Sequence, residues 1–202
     1  MIAPSTFCIG MWMCGIKEVA VVKLQRLVHT VGLNLQRGAF ARGAYLRKHK
    51  ILAEVGSCVR FQPRMVPLYP ELIKLHNNIM IGAGVRFVTH DAVHTVLNRM
   101  NMGKFPEMVG CIEVMDNVFI GADSTIMPNV RIGKNVVIGA GSVVTKDCEE
   151  NSIYAGVPAR RLGSFDDFVA KRRNGGYATV ARNQRITEEE IKNAWNDFCN
   201  SR

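Results

Sequence analysis

A chain of 202 residues, 48% hydrophobic and 21% charged, suits one main globular domain with room for helical additions. The net charge of +9 points to anionic partners such as phosphates, acidic glycans or an acidic membrane surface. The basic residues are spread along the chain, no nucleic-acid motif appears and only 7% of residues are aromatic, so nucleic acid is not the expected partner. The six cysteines form no C-x-x-C pair and no zinc-finger spacing, which suits small core-filling roles in a reducing compartment.

The stretch from Phe7 to Val22 is apolar, but Lys17 and Glu18 interrupt it and no basic cluster precedes it. It therefore reads as neither a signal peptide nor a membrane span, and the protein is expected in the cytoplasm, with at most a peripheral membrane contact. Residues 1–50 form an N-terminal helical segment, with helices expected over Lys17–Val31 and Ala39–Lys48 and with Gly32 and Gly38 punctuating the join. Lys23, Arg26, Arg37, Arg42, Arg47, Lys48 and Lys50 make this segment basic.

From Ile51 the pattern changes. Val55 and Phe61 open sextets, a proline-rich interruption follows, and the frame resumes at Leu75, Ile81 and Phe87. From Asp91 to Cys111 the repeat is lost, and a loop of this length inside a repeat fold is more often functional than not. Then six sextets run in frame, opened by Val114, Ile120, Ile126, Ile132, Ile138 and Val144. Their fifth positions are small or β-branched: Val118, Ser124, Val130, Val136, Ser142 and Cys148. A period of six is neither the two of a flat strand nor the 3.6 of a helix. It fits short strands joined by tight turns, three sextets to a triangular coil, with the coils stacked over one core. The expected architecture is mainly β, a parallel β-helix over residues 51–162 flanked by helices. After Glu149 the coil finishes with N-S-I-Y-A-G-V-P-A-R-R, where Gly156 and Pro158 mark a turn. The C-terminal segment 163–202 is expected to hold helices that cap the coil, one after Ser164 with an acidic first turn and one over Glu188–Cys199 with a Thr187/Glu190 capping box.

The segments F-V-T-H-D-A-V-H, I-E-V-M-D-N-V-F-I-G-A-D-S-T-I-M-P-N-V-R-I-G, I-G-A-G-S-V-V-T-K-D and A-G-V-P-A-R resemble, in that order, the hexapeptide-repeat acyltransferases. The galactoside and maltose O-acetyltransferases are the best-described relatives, and the G-S-F-D-D-F tail is similar to acetyltransferases of capsule and lipopolysaccharide synthesis. The resemblance implies a left-handed β-helix, a homotrimer with sites between subunits, and transfer of acetyl from acetyl-CoA to a sugar hydroxyl in a ternary complex without a metal. It implies His90 as general base, since a hydroxyl must lose its proton as the new bond forms and imidazole titrates near neutrality. It places the oxyanion donor at the backbone N–H of Ala122. It puts coenzyme A at Ala140, Gly141, Thr145, Lys146, Arg160 and Arg161, and the acceptor near Asp91, His94 and Phe119. Glu113 is the carboxylate candidate for orienting His90. Phe119 replaces a tryptophan common in the family, Val157 an asparagine, and Met115 a glycine. Serine or amino-sugar N-acetyltransfer, a non-catalytic scaffold, and a zinc lyase of the carbonic-anhydrase kind using His76, His90 and His94 are the alternatives.

Overall fold

The computed structural model describes residues 24–100, 102–173 and 186–200. Residues up to Phe165 form one compact unit and Asp166–Arg202 a second.

The first unit begins with α1, helical over 24–35, and α2 (Ala39–Lys48). The start of the expected first helix lies outside the described residues. Gly32 does not end α1 as the sequence reading expected but sits inside it. A Cβ there would come within 2.0 Å of the Tyr45 hydroxyl oxygen, so glycine lets α2 approach. Leu33 and Leu46 are fully buried, and the Arg42 guanidinium donates to the Phe61 carbonyl at 2.9 Å, fixing α2 to the first coil.

Thirteen short strands follow: β1 (Glu54–Val55), β2 (Val59–Phe61), β3 (Ile73–Leu75), β4 (Ile79–Ile81), β5 (Arg86–Phe87), β6 (Ile112–Val114), β7 (Val118–Ile120), β8 (Thr125–Ile126), β9 (Val130–Ile132), β10 (Val136–Ile138), β11 (Val143–Val144), β12 (Ser152–Ala155) and β13 (Arg160–Ser164). They belong to three sheets, ordered β1-β3-β6-β9, β13-β12-β10-β7-β4-β2 and β11-β8-β5. From β3 to β11 the chain visits the three sheets in rotation, and each strand pairs in parallel with the one a full turn away. Every sextet-opening aliphatic from Val114 to Val144 ends a strand and is at most 1% exposed. The fifth-position residues Val118, Ser124, Val130, Val136, Ser142 and Cys148 are buried beside them. Burying one Val or Ile contributes about 1.5–3 kcal/mol, so this double row supplies most of the driving force for stacking.

The corners carry a second periodic feature. Asn78, Asn117, Asn135 and Asn151 all adopt left-handed backbone, which asparagine tolerates better than most residues. Their amides form a continuous ladder with Nδ2 to Oδ1 distances of 2.8, 2.9 and 2.8 Å. Cys58, at φ 55°, occupies the equivalent position one coil earlier.

The outer rows of two sheets differ. Glu54, Lys74, Glu113 and Arg131 alternate in charge across the first sheet. Met80, Phe119, Val137 and Ile153 form an apolar row across the second. The coil runs on past Glu149, within residues 51–162. β12 continues the second sheet in parallel, and β13 turns back antiparallel to cover its edge.

Residues Val93–Arg99 of the long loop form a helix, α3, which the sequence reading left as loop. α4 (Phe165–Arg173), all but its first residue in the second unit, has Asp166 and Asp167 in its first turn. α5 (Glu188–Asn200) begins with the expected reciprocal box: the Glu190 N–H donates to Thr187 Oγ1 at 3.2 Å, and the Thr187 N–H to Glu190 Oε2 at 2.7 Å. No described helix is long and apolar enough to cross a membrane.

Candidate active site

His90 sits where the chain leaves the third sheet. Val88 still donates to the Ile126 carbonyl at 2.9 Å, and Thr89 is buried, with its hydroxyl on the Leu68 carbonyl. The loop returns alongside itself. Gly110 donates to the Thr89 carbonyl at 2.8 Å and Asp91 to the Met108 carbonyl at 3.0 Å, so His90 bridges Val109 and its backbone is clamped from both sides. Asn98 closes the loop further out, accepting from the Phe105 N–H at 2.8 Å and donating to its carbonyl at 3.0 Å.

The His90 ring meets Tyr69 edge-on, centroids 5.5 Å apart and planes at 88°. Tyr69 has a φ of 50°, a region that bulky residues rarely enter and that often marks functional positions. Its hydroxyl donates to Glu107 Oε2 at 3.0 Å. That hydrogen bond is the main cause of a raised phenol pKa, with burial and the negative charges of Glu107 and Glu71 adding to it, so Tyr69 stays a neutral donor. His90 Nδ1 is buried, and the ring has no hydrogen-bond partner among the described residues. His94 Nδ1 is in the same condition. Asp91 does not orient the ring; its carboxylate accepts the Val93 N–H at 3.0 Å and starts α3.

Glu113 has other partners. It accepts from His76 Nε2 at 3.1 Å and from Arg131 Nε at 2.7 Å, all on the first sheet's side of the coil. The His76 hydrogen bond and then the Arg131 one hold its carboxyl below the usual range, against a smaller opposing effect of burial. Among the described residues no hydrogen bond joins Glu113 to His90, and no three His, Cys, Asp or Glu side chains gather as a metal-ligand set.

Ala122 and Ala140 occupy stacked corners between the second and third sheets. Gly82 and Gly121, each one coil before the alanine it faces, allow very close packing. A Cβ on Gly82 would lie 2.6 Å from the Ala122 nitrogen, and one on Gly121 2.4 Å from the Ala140 nitrogen. The neighbouring amides are used between coils, Gly121 to Ile138 and Gly141 to Ala122, both at 2.8 Å. The Ala122 and Ala140 amides donate to no acceptor among the described residues. Ala140 and Gly141 are exposed, and Gly141, at φ 68°, has open space around its missing Cβ. Thr145 and Lys146 are exposed just past β11. Arg160 and Arg161 lie on β13, with Arg161 Nε donating to Ser152 Oγ at 2.9 Å and Arg160 exposed. Phe119 is 39% exposed in the apolar outer row.

One chain thus holds a clamped imidazole without a hydrogen-bond partner, a corner whose Ala122 and Ala140 amides are free, and exposed basic side chains at Lys146 and Arg160; no hydrogen bond joins these features among the described residues. Tyr69 and Glu107 were missed by the sequence reading. The P-L-Y-P context hinted at a turn, but the contact between Tyr69 and His90 depends on two segments about twenty residues apart.

Residues 112–146 match the family model described as bacterial transferase hexapeptide (six repeats). The chain is 40% identical over 97 residues to the galactoside O-acetyltransferase of Escherichia coli (strain K12), covering 47% of this chain and 45% of that one. It is 43% identical over 104 residues to Protein CapG of Staphylococcus aureus, covering 50% and 58%. The chain thus spans about half the length of the curated relatives it matches. In fold it is similar to a hexapeptide-repeat acetyltransferase from Vibrio cholerae (TM-score 0.56, 23% identity, 73% of this chain and 93% of that one). It is also similar to a galactoside acetyltransferase in complex with coenzyme A (TM-score 0.56, 22% identity, 91% and 93%). The repeat of residues 112–146 is that of the bacterial hexapeptide transferases, and the chain is similar in sequence to a galactoside O-acetyltransferase and in fold to a hexapeptide-repeat acetyltransferase.

Proposed function

We propose that this protein is an acetyl-CoA-dependent O-acetyltransferase acting on a sugar hydroxyl of a surface polysaccharide or its precursor. The observation that carries this reading is the His90 ring, clamped at the mouth of the loop with no partner of its own, in a chain whose relatives are sugar acetyltransferases. In the proposed reaction His90 takes the hydroxyl proton as the oxygen attacks the thioester carbonyl. The tetrahedral oxyanion is met by the free N–H of Ala122. The intermediate then expels the CoA thiolate, to which His90 returns the proton, leaving an acetyl ester and coenzyme A. No acyl-enzyme forms.

Coenzyme A is assigned to the exposed strip of Ala140, Gly141, Thr145 and Lys146, with Arg160 and Arg161 toward its phosphates. We take the coils to wind as a left-handed parallel β-helix, as the family resemblance implies. The apolar outer row of Met80, Phe119, Val137 and Ile153 favours a homotrimer, in which His90 would meet a neighbour's corner, as the family resemblance implies. His94 and Phe119 then lie toward the acceptor. The free cysteines Cys58, Cys111, Cys148 and Cys199 suit a cytoplasmic setting.

The test is calorimetric titration with acetyl-CoA, followed by thiol-release assays across a panel of sugars, amino sugars and serine. Binding with turnover on a sugar hydroxyl supports the reading. Turnover only on amines moves the reaction to N-acetylation, and absence of acetyl-CoA binding leaves a scaffold.

A further inference from the structure

Tyr69, the ring against which His90 rests, also lines a cavity of about 340 Å³ between α1, the end of α2 and the segment leading to β3. That volume suits a monosaccharide-sized group. The chemistry of its wall is one-sided. Arg26 and His29 stand three residues apart on α1, hence on one face, and His49 and Lys50 enter from the end of α2. The His29 and His49 rings lie 6.2 Å apart, and His49 packs on Tyr45 at 4.3 Å. His29 Nδ1 is buried with no partner, and neither Arg26 nor Lys50 forms an ion pair among the described residues. Glu71 is the one acid on the wall, and Ile51 and Val66 supply an apolar floor. Arg26 is part-buried and Lys50 exposed, and with neither paired the wall keeps a net positive charge that favours an arriving anion.

We propose that this cavity binds the anionic group, carboxylate or phosphate, of an acidic sugar, with Tyr69 between that group and the hydroxyl presented to His90. Arg26 and Lys50 hold the charge, His29 and His49 donate N–H bonds, and Glu71 accepts from the sugar's hydroxyls. The identity of the ligand as acceptor rests on the transferase reading; the anion site itself does not.

The experiment is calorimetric titration of the full chain with glucose, glucuronate and glucose 6-phosphate, using wild type, Arg26→Met and Lys50→Met. Folding of each variant is checked by circular dichroism. The proposal expects wild type to bind one or both anions at least tenfold more tightly than glucose. Each substitution should lower that preference about tenfold, the size of one charge-assisted hydrogen bond. Preference for glucuronate alone marks a carboxylate site, and preference for glucose 6-phosphate alone marks a phosphate site. Equal affinity for glucose and both anions, or a preference unchanged in both variants, overturns the proposal. Anion binding that depends on Arg26 and Lys50 without any acetyl transfer keeps the site and removes the transferase reading. Transfer to sugars with no charge preference does the reverse.

Discussion

Replacing Gly121 with alanine tests the closeness of the stacked corners. The new Cβ would lie 2.4 Å from the Ala140 nitrogen, 2.6 Å from its Cα and 2.7 Å from the Gly139 carbonyl carbon. Relaxed contacts need about 3.5 Å, so the coils must part locally by about 1 Å. All three atoms are backbone and cannot swing aside. The bonds Gly121 to Ile138 and Gly141 to Ala122, each 2.8 Å now, would stretch past useful length. Overpacking costs about 1–3 kcal/mol and each of the two weakened hydrogen bonds about 0.5–1.5, giving a loss of about 2–6 kcal/mol. Two other glycines separate sterics from backbone preference. Gly141→Ala meets nothing within 4 Å but sits at φ 68°, which predicts about 1–2 kcal/mol from left-handed strain. Gly163→Ala, with open space and no positive φ, is expected within about 0.5 kcal/mol of wild type. Urea unfolding at fixed protein concentration, reading midpoints at constant slope, gives all three values. Gly121→Ala as stable as Gly163→Ala would refute the stacking argument.

The asparagine ladder gives a second test. Asn135→Ala removes one donated and one accepted amide bond and places alanine at φ 54°, a loss of about 2–3 kcal/mol in the same urea assay. Cys58→Asn should extend the ladder onto Asn78 and gain about 1 kcal/mol. Glu113 has its pKa depressed by His76 and Arg131, so it adds stability that is present above its unfolded value near 4.5 and lost as pH falls through the folded value. Glu113→Gln should therefore flatten the acid limb of a stability-against-pH curve below about pH 4.5, and an unchanged limb would contradict the assignment. Burial pushes the Cys148 thiol up to about 12, with Asp147 adding to it, so iodoacetamide at pH 8 should label exposed Cys58 and Cys111 and spare Cys148 until unfolding, as mass spectrometry can read.

The coil was legible because its core is written one residue at a time. Each sextet-opening aliphatic must point inward, and Val114 through Val144 all end strands with at most 1% exposure. The Thr187/Glu190 box and the α2 limits were readable for the same reason, since local chemistry decides them. Misreadings fell where distant segments decide. Gly32 looked like a helix stop, yet its role is to admit Tyr45 from another helix. The tail after Glu149 was placed in the coil, where β12 does pair with β10, but the antiparallel return of β13 was not foreseen because a strand partner decides it. The asparagine ladder escaped the sequence reading: Asn78, Asn117 and Asn135 each precede a Val or Ile and Asn151 precedes Ser152, but only coil stacking brings their amides together. In the candidate site, His90 was singled out in the sequence by its T-H-D context and the family resemblance. Its contact with Tyr69 and the engagement of Glu113 by His76 and Arg131 arise from coil stacking, which no local pattern encodes.

The central claim is that His90 moves the proton. The direct measurement is acetyl-CoA binding and steady-state acetyl transfer by wild type and His90→Ala, with the assembly state of both checked by light scattering. The account predicts the same assembly and similar acetyl-CoA affinity in both proteins, with transfer lowered by about 10²–10⁴-fold in the variant, the usual worth of a general base. Transfer by His90→Ala within a few-fold of wild type would contradict it.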